Sequence, residues 1–394
     1  MKLQTKLLSL VLAVAMMFSL AACSVSADKE SDTTPTTSET PNLNAPENNS
    51  VLPEGFVADP NVGDLCLATA DIPGDFTLLT VNGLPVSARM YLYWLAYSIS
   101  ETESMYAYYG IPLDWSEEGG LGKYMMEDAL NATLMYTLIP EKAKELGFDL
   151  TDAQLTELDA YTAEAIASVG GEDEFNESLR MLGLDRDTYL AINRASYYYQ
   201  QIVDNMFIGR PTEDDVATYT KEQDILSAKH ILLLTMDMNT RQPLADDVIA
   251  QKKATAEDIL KQLQESNDLT ADFDALMHQY SEDTGLISNP DGYIFTAGEM
   301  VSEFENGTRA LEFGQISGIV ESPYGYHIIL RQNPDSPSLR EDCLAFLASE
   351  QINTWVDEAD VVFTDAYNNL NPQLFYEKFI AYQTVFSALR SAES

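Results

Sequence analysis

Ser227-Ala-Lys-His230-Ile-Leu-Leu-Leu234 and Tyr324-Gly-Tyr-His327-Ile-Ile-Leu-Arg331 are two short apolar runs, and each carries one of the three histidines in the chain. Turn residues bound both runs, and their leucine and β-branched content reads as two buried strands. An imidazole inside such a strand must find a hydrogen-bond partner or it destabilises the fold. The simplest partner for each histidine is the other.

Between the two runs the pattern alternates. Residues 253–265 and 272–280 are helical; in the second, Phe273, Leu276, Met277 and Tyr280 follow the i, i+3, i+4, i+7 spacing of an apolar helix face. His278 falls among its solvated positions. There follow Tyr280-Ser-Glu-Asp283, a Gly/Asn/Pro loop, a strand at Gly292-Tyr-Ile-Phe295, and a short helix holding Met300 and Phe304. Gly318-Ile-Val320 then pairs with 326–330 through the turn Ser322-Pro-Tyr-Gly325.

Outside this insertion the sequence is mostly helical. Phe76 to Val86 contains Asn82-Gly83, a strong two-residue hairpin signal, and Ser87 caps a helix crowded with Tyr91, Tyr93, Trp94 and Tyr97, followed by Tyr106, Tyr108 and Tyr109. Such side chains suit either helix packing or a surface that holds unfolded segments. Further helices are marked by Gly147, by the capping box Thr151-x-x-Gln154, by Gly170-Gly171, by Asp185 and by Thr212-x-x-Asp215. After a Pro-rich joint at 333–338 a helix runs to about residue 358, Val361-Val-Phe-Thr364 resembles a strand, and the tail is helical. The expected organisation is therefore a leader (1–22), a tether (23–75), a helical domain (76–222), the histidine-bearing domain (223–334), and a C-terminal segment (335–394) that packs back on the helical domain.

The leader has basic Lys2 and Lys6, an apolar run too short to span a bilayer, and Leu20-Ala-Ala-Cys23. That tetrapeptide resembles a bacterial lipobox, which makes Cys23 the expected lipidation site and the bound lipid the membrane anchor. Cleavage before Cys23 leaves 20 basic and 63 acidic side chains, a formal net charge of −43. Charge of that sign repels nucleic acid and anionic lipid head groups, so neither is an expected partner. The Ser/Thr/Pro/Asn-rich tether of about 50 residues would span on the order of 40 Å as a flexible coil. Cys66 and Cys343 are far apart in sequence, and a bridge between them stays open.

Two histidines on neighbouring strands, an acid after a helix and a Met/Phe pair suit neither a hydrolase nor a metal site. No Ser or Cys nucleophile stands beside either histidine at a readable spacing, and a metal would need a third ligand such as Asp283. The set suits binding of a small apolar ring with its backbone amide over a polar floor. Five motifs then occur in the order of the parvulin family of peptidyl-prolyl isomerases, which this region resembles: Ala228-Lys-His230-Ile-Leu, Tyr280-Ser-Glu-Asp283, Gly298-Glu-Met300-Val-Ser-Glu-Phe304, Gly314-Gln-Ile-Ser-Gly-Ile-Val320 and Gly325-Tyr-His327-Ile-Ile. One segment departs: where the family has Gly-Asp/Glu-Leu-Gly before the aromatic of its central strand, this chain has Pro290-Asp-Gly-Tyr-Ile-Phe295.

The resemblance implies an α+β fold: a parvulin domain, with a small mostly antiparallel sheet and surrounding helices, inserted in an all-helical chaperone-like domain. It implies His230, Asp283 and His327 as catalytic residues, Met300, Phe304, Phe295, Ser322 and Tyr326 as substrate-binding residues, and no cofactor or metal. The layout looks like the PrsA-like foldase lipoproteins of Gram-positive bacteria and the SurA-like chaperones. The function so implied is prolyl isomerisation in unfolded or partly folded exported proteins at the extracytoplasmic membrane face. The alternatives are a holdase with a weak or inactive parvulin domain, and a solute-binding lipoprotein, for which the long strand–helix alternation is missing. Arg241, Lys252 and Lys253 are scattered, which argues against a phosphate-reading site.

Overall fold

A computed structural model describes residues 50–116 and 120–393; the leader, Cys23 and the first part of the tether lie outside the described residues. The chain divides into two compact units, one made of residues up to Ile208 and from Leu347 onward, the other of Gly209–Phe346.

The first unit contains α1 (Leu65–Ala70), β1 (Thr77–Val81), β2 (Leu84–Ser87), α2 (Ala88–Tyr108), α3 (Leu121–Glu145), α4 (Asp152–Val169), α5 (Glu172–Met181) and α6 (Arg186–Met206). The second contains α7 (Glu213–Glu222), β3 (Leu226–Leu234), α8 (Asp246–Gln264), α9 (Leu269–Tyr280), β4 (Tyr293–Phe295), α10 (Ser302–Arg309), β5 (Val320–Glu321) and β6 (Gly325–Arg331). The division falls within α11 (Pro337–Asp357), after which β7 (Val361–Phe363), α12 (Asp365–Asn368) and α13 (Pro372–Glu393) complete the first unit.

Local chemistry sets the entrance of the first unit. Asn82 and Gly83 both take positive φ, 51° and 81°, the left-handed pair that lets a two-residue turn follow the strand twist. Asn82 also fastens β7: its N–H donates to the Asp360 carbonyl, and its side-chain oxygen accepts from the Asp360 N–H, both at 2.8 Å. The result is an antiparallel sheet of order β2-β1-β7, so this unit is helical with one small sheet. Ser87 accepts from the Met90 N–H to start α2, and Thr151 with Gln154 closes a capping box at α4.

Tyr91, Tyr93 and Trp94 are buried in the core, where Trp94 packs on Tyr136 of α3 with ring centroids 4.4 Å apart. Of the aromatics on α2 and just past its end, Tyr108 and Tyr109 are the exposed ones, at 85% and 69%. The tether expectation to residue 75 is corrected as well. Asp64 accepts from the N–H groups of Cys66 and Leu67 to cap α1, and Leu65 packs with Met181, Tyr382 and Phe386. A six-residue helix carries too little periodicity to read by itself; the apolar face that orders it arrives from α5 and α13, far away in sequence. Cys66 and Cys343 are both free and buried, and burial pushes the Cys66 thiol up to about 12.

The second unit is built on an antiparallel sheet of order β4-β3-β6-β5. His230 lies opposite Ile329, and Leu232 opposite His327. One face packs Ile231, Leu233, Tyr326, Ile328 and Leu330 against Ala256 and Ile259 of α8 and Phe273 and Met277 of α9. The other packs Leu226, Ala228 and Ile329 against Phe295 and Phe304. This unit is wider than 223–334. Tyr219 of α7 meets Phe346 at 5.1 Å between ring centroids, and Arg340 donates to the Pro211 carbonyl at 3.1 Å. Thus α7 and the first turns of α11 join the sheet's unit, because their side chains pack on each other across a gap that Pro-rich joints had suggested as a boundary.

Candidate active site

Period-2 alternation puts His230 and His327 on the same face of adjacent strands, in a diagonal relation. Their rings stack with an interplanar angle of 17°, and the two Nδ1 atoms are 3.0 Å apart. Asp283 arrives by a separate route. β4 pairs only with Leu226–Ala228, so the same side of β3 is open further along. There the chain leaving α9 docks: the Glu282 N–H donates to the Leu232 carbonyl at 2.8 Å, Ser281 Oγ accepts from the Leu232 N–H at 3.1 Å, and the Glu282 carboxylate accepts from the Leu234 N–H at 2.8 Å. Lys252 of α8 pairs with the same carboxylate. With its two predecessors pinned, Asp283 meets His230 Nε2 at 2.8 Å.

Proton positions follow from the carboxylate. An ionised Asp283 can only accept, so His230 Nε2 carries a proton and donates to it. In neutral His230 the Nδ1 is then an acceptor, so His327 Nδ1 donates, which leaves His327 Nε2 as the acceptor for the Ser322 hydroxyl at 2.7 Å. Ser322 Oγ itself accepts from the Tyr324 N–H at 3.1 Å. The chain of bonds thus runs in one direction, from the Ser322 turn to Asp283.

Electrostatics agree with that direction. Burial opposes ionisation of Asp283, but hydrogen bonds from His230, Tyr293 and the Gly285 N–H outweigh it and hold the carboxyl well below the usual range. Burial, reinforced by the neighbouring His230, lowers His327 to about 4, with Asp283 pulling weakly the other way. His327 is therefore neutral near pH 7.

An apolar wall closes one side. The Phe304 ring lies 4.9 Å from His230, 5.6 Å from His327 and 5.6 Å from Phe295, centroid to centroid. Phe295 and Phe304 are buried, while Met300 is half-buried against the same cluster. Met300 precedes α10 rather than lying in it, since the helix starts at Ser302. Two expected substrate-binding residues have other surroundings. Tyr326 points to the opposite sheet face and packs with α8 and α9, as alternation from His327 requires. Ser322 is buried and engaged by His327. The residue that sequence reasoning missed is Tyr293, whose hydroxyl donates to Asp283 Oδ2 at 2.5 Å and whose ring stands edge-on to His230 at 5.7 Å. The signal was available: in β4, Tyr293 shares a face with Phe295, and its polar tip needs a partner.

The sequence profile of the PPIC-type PPIase domain matches residues 230–333. Among curated proteins, the foldase protein PrsA of Staphylococcus aureus is 23% identical over 252 residues, covering 64% of this chain and 72% of the relative. Among solved structures, PrsA from Bacillus cereus is 22% identical, covers 65% of this chain and 92% of its own, and superposes with a TM-score of 0.29. A SurA-like chaperone from Campylobacter jejuni is 19% identical, with coverage of 71% and 93% and a TM-score of 0.22. The profile match spans the histidine pair, Asp283 and the Phe304 wall, so this chain carries a PPIC-type (parvulin) peptidyl-prolyl isomerase domain and is homologous to the PrsA foldases.

Proposed function

We propose that the chain is a membrane-anchored extracytoplasmic foldase that isomerises X-Pro bonds in unfolded or partly folded exported proteins. The observation that carries this reading is the hydrogen-bonded array Ser322–His327–His230–Asp283 set against Phe304 inside a PPIC-type domain. Rotation about an X-Pro bond faces a barrier near 20 kcal/mol because resonance gives the C–N bond partial double-bond character and places negative charge on the carbonyl oxygen. In this reading Met300 and Phe304 hold the proline ring, with Phe295 behind them. The Asp283 carboxylate, beside the carbonyl, opposes the charge that planarity requires, so the twisted amide is bound better than either planar form. The histidine pair keeps that carboxylate in place. Cys23 supplies the anchor; among the described residues no helix is long and apolar enough to cross a membrane.

The test uses the full chain and a substrate protein whose refolding waits on a prolyl bond. Wild type accelerates refolding, Asp283→Ala loses at least about tenfold of that acceleration, and Cys23→Ala retains it while losing vesicle association. Equal acceleration by wild type and Asp283→Ala removes the proposed site. A holding role for the first unit is supported by the exposed Tyr108 and Tyr109. It predicts that suppression of client aggregation survives Asp283→Ala and falls in a Tyr108→Ser, Tyr109→Ser double variant.

A further inference from the structure

We infer that Tyr293 is a positioning residue of the isomerase site: its hydroxyl, admitted because Gly285 has no side chain, orients the Asp283 carboxylate that sets the direction of the histidine hydrogen bonds. The inference rests on the function proposed above. Asp283 is held from three directions. The Gly285 N–H takes Oδ1 at 2.9 Å, whereas His230 and Tyr293 share Oδ2 at 2.8 and 2.5 Å. His230 comes from β3 and Tyr293 from β4, so the hydroxyl ties the carboxylate to a second strand. Without it, Oδ2 would be fixed by the histidine alone, and a turn about the Cβ–Cγ bond would be resisted only by that bond and by the Gly285 N–H on Oδ1.

Gly285 shows that the hydroxyl has been accommodated rather than merely tolerated. Its φ is not in the left-handed region, so backbone conformation does not demand glycine there. Space does: a Cβ at this position would stand 2.1 Å from the Tyr293 hydroxyl oxygen and 3.2 Å from Asp283 Oδ1. The Tyr293 ring is already packed against the apolar cluster that includes Phe295 and Phe304, so its placement does not depend on the hydroxyl. Burial and the adjacent Asp283 carboxylate push the phenol upward, which keeps it a donor throughout the neutral range. The titratable groups facing Asp283 are His230 from β3, Tyr293 from β4, and His327 of β6 behind His230. Tyr293 also falls in the Pro290–Phe295 segment, where this chain departs from the Gly-Asp/Glu-Leu-Gly pattern of the parvulins.

The experiment compares full-length wild type, Tyr293→Phe, Gly285→Ala and the double variant. Two readouts are followed: NMR titration of the Asp283 carboxyl and both histidine rings, and the pH profile of isomerase kcat/KM. Removing the hydroxyl raises the Asp283 midpoint by roughly one pH unit, as expected for loss of one strong hydrogen bond to the charged form. It lowers kcat/KM by about 3- to 10-fold with little change in melting temperature. Gly285→Ala displaces the hydroxyl and reproduces both effects, and the double variant is no worse than Tyr293→Phe, the signature of one shared interaction. Unchanged titration in Tyr293→Phe, or additive losses in the double variant, overturns the inference. If wild type shows no isomerase activity, the function proposed above fails, and the titration arm alone still decides the role of Tyr293.

Discussion

Asp283 is half-enclosed yet stays charged because each oxygen has its own donors, and the energetic consequences spread along the array to Ser322. Removing the far end tests this. Ser322→Ala deletes the donor to His327 Nε2 and leaves a buried imidazole nitrogen unpaired, a loss of about 1–3 kcal/mol. Urea unfolding of the second unit, followed by hydrogen exchange of β6 amides, should show that loss. Exchange protection equal to wild type would mean water replaces the hydroxyl at no cost. Both histidines were readable from the sequence because a polar ring within an apolar strand demands a partner. Tyr326, which the resemblance implied as substrate-binding, faces away from the site because neighbours along a strand point to opposite sides of the sheet.

At the scale of elements, the site depends on how closely β6 starts against the end of β3. Gly325 has φ 152°, and a Cβ there would lie 2.1 Å from the Leu233 carbonyl oxygen. That oxygen, and the Thr235 nitrogen 2.9 Å away, are backbone atoms, so no side chain can move aside. Gly325→Ala should therefore destabilise the second unit by about 2–4 kcal/mol and lower activity through displacement of His327. A urea midpoint within error of wild type would show that the turn absorbs the strain. The docking of 281–282 on the open side of β3 is a second element-scale device. It was visible only as a motif in sequence, since the bonds of Leu232 and Leu234 that hold it are long-range.

For the whole molecule, the histidines and tryptophans are segregated: His230, His278 and His327 lie in the second unit, and Trp94, Trp115 and Trp355 in the first. His327 is 3% exposed and has its titration lowered to about 4 from 6.5 in the native state. Between these values the unfolded chain binds a proton that the native chain does not, so stability falls as pH falls from 6.5 towards 4. From pH 6.5 to 5 the second unit should lose about 2 kcal/mol. Below about pH 4, Asp283, whose carboxyl is lowered in the native state, adds further loss. Tryptophan fluorescence reports the first unit, so its transition should shift little from pH 6.5 to 5 while exchange of β3 and β6 amides accelerates. A parallel shift of both signals would contradict the assignment to His327.

Local chemistry alone determined the strands that carry the two histidines, the Asn82-Gly83 turn, the capped helices and the order of motifs, because each depends on residues within a few positions of one another. Tertiary structure alone decided the rest. Helix α1 formed where a tether was expected, the aromatics of α2 turned mostly inward, and α7 joined the sheet's unit, in each case through apolar partners far away in the chain. So too did Tyr293 reach Asp283: a hydroxyl on one strand found a carboxylate on a loop through the space left by a glycine, a coincidence in three dimensions that no periodicity encodes.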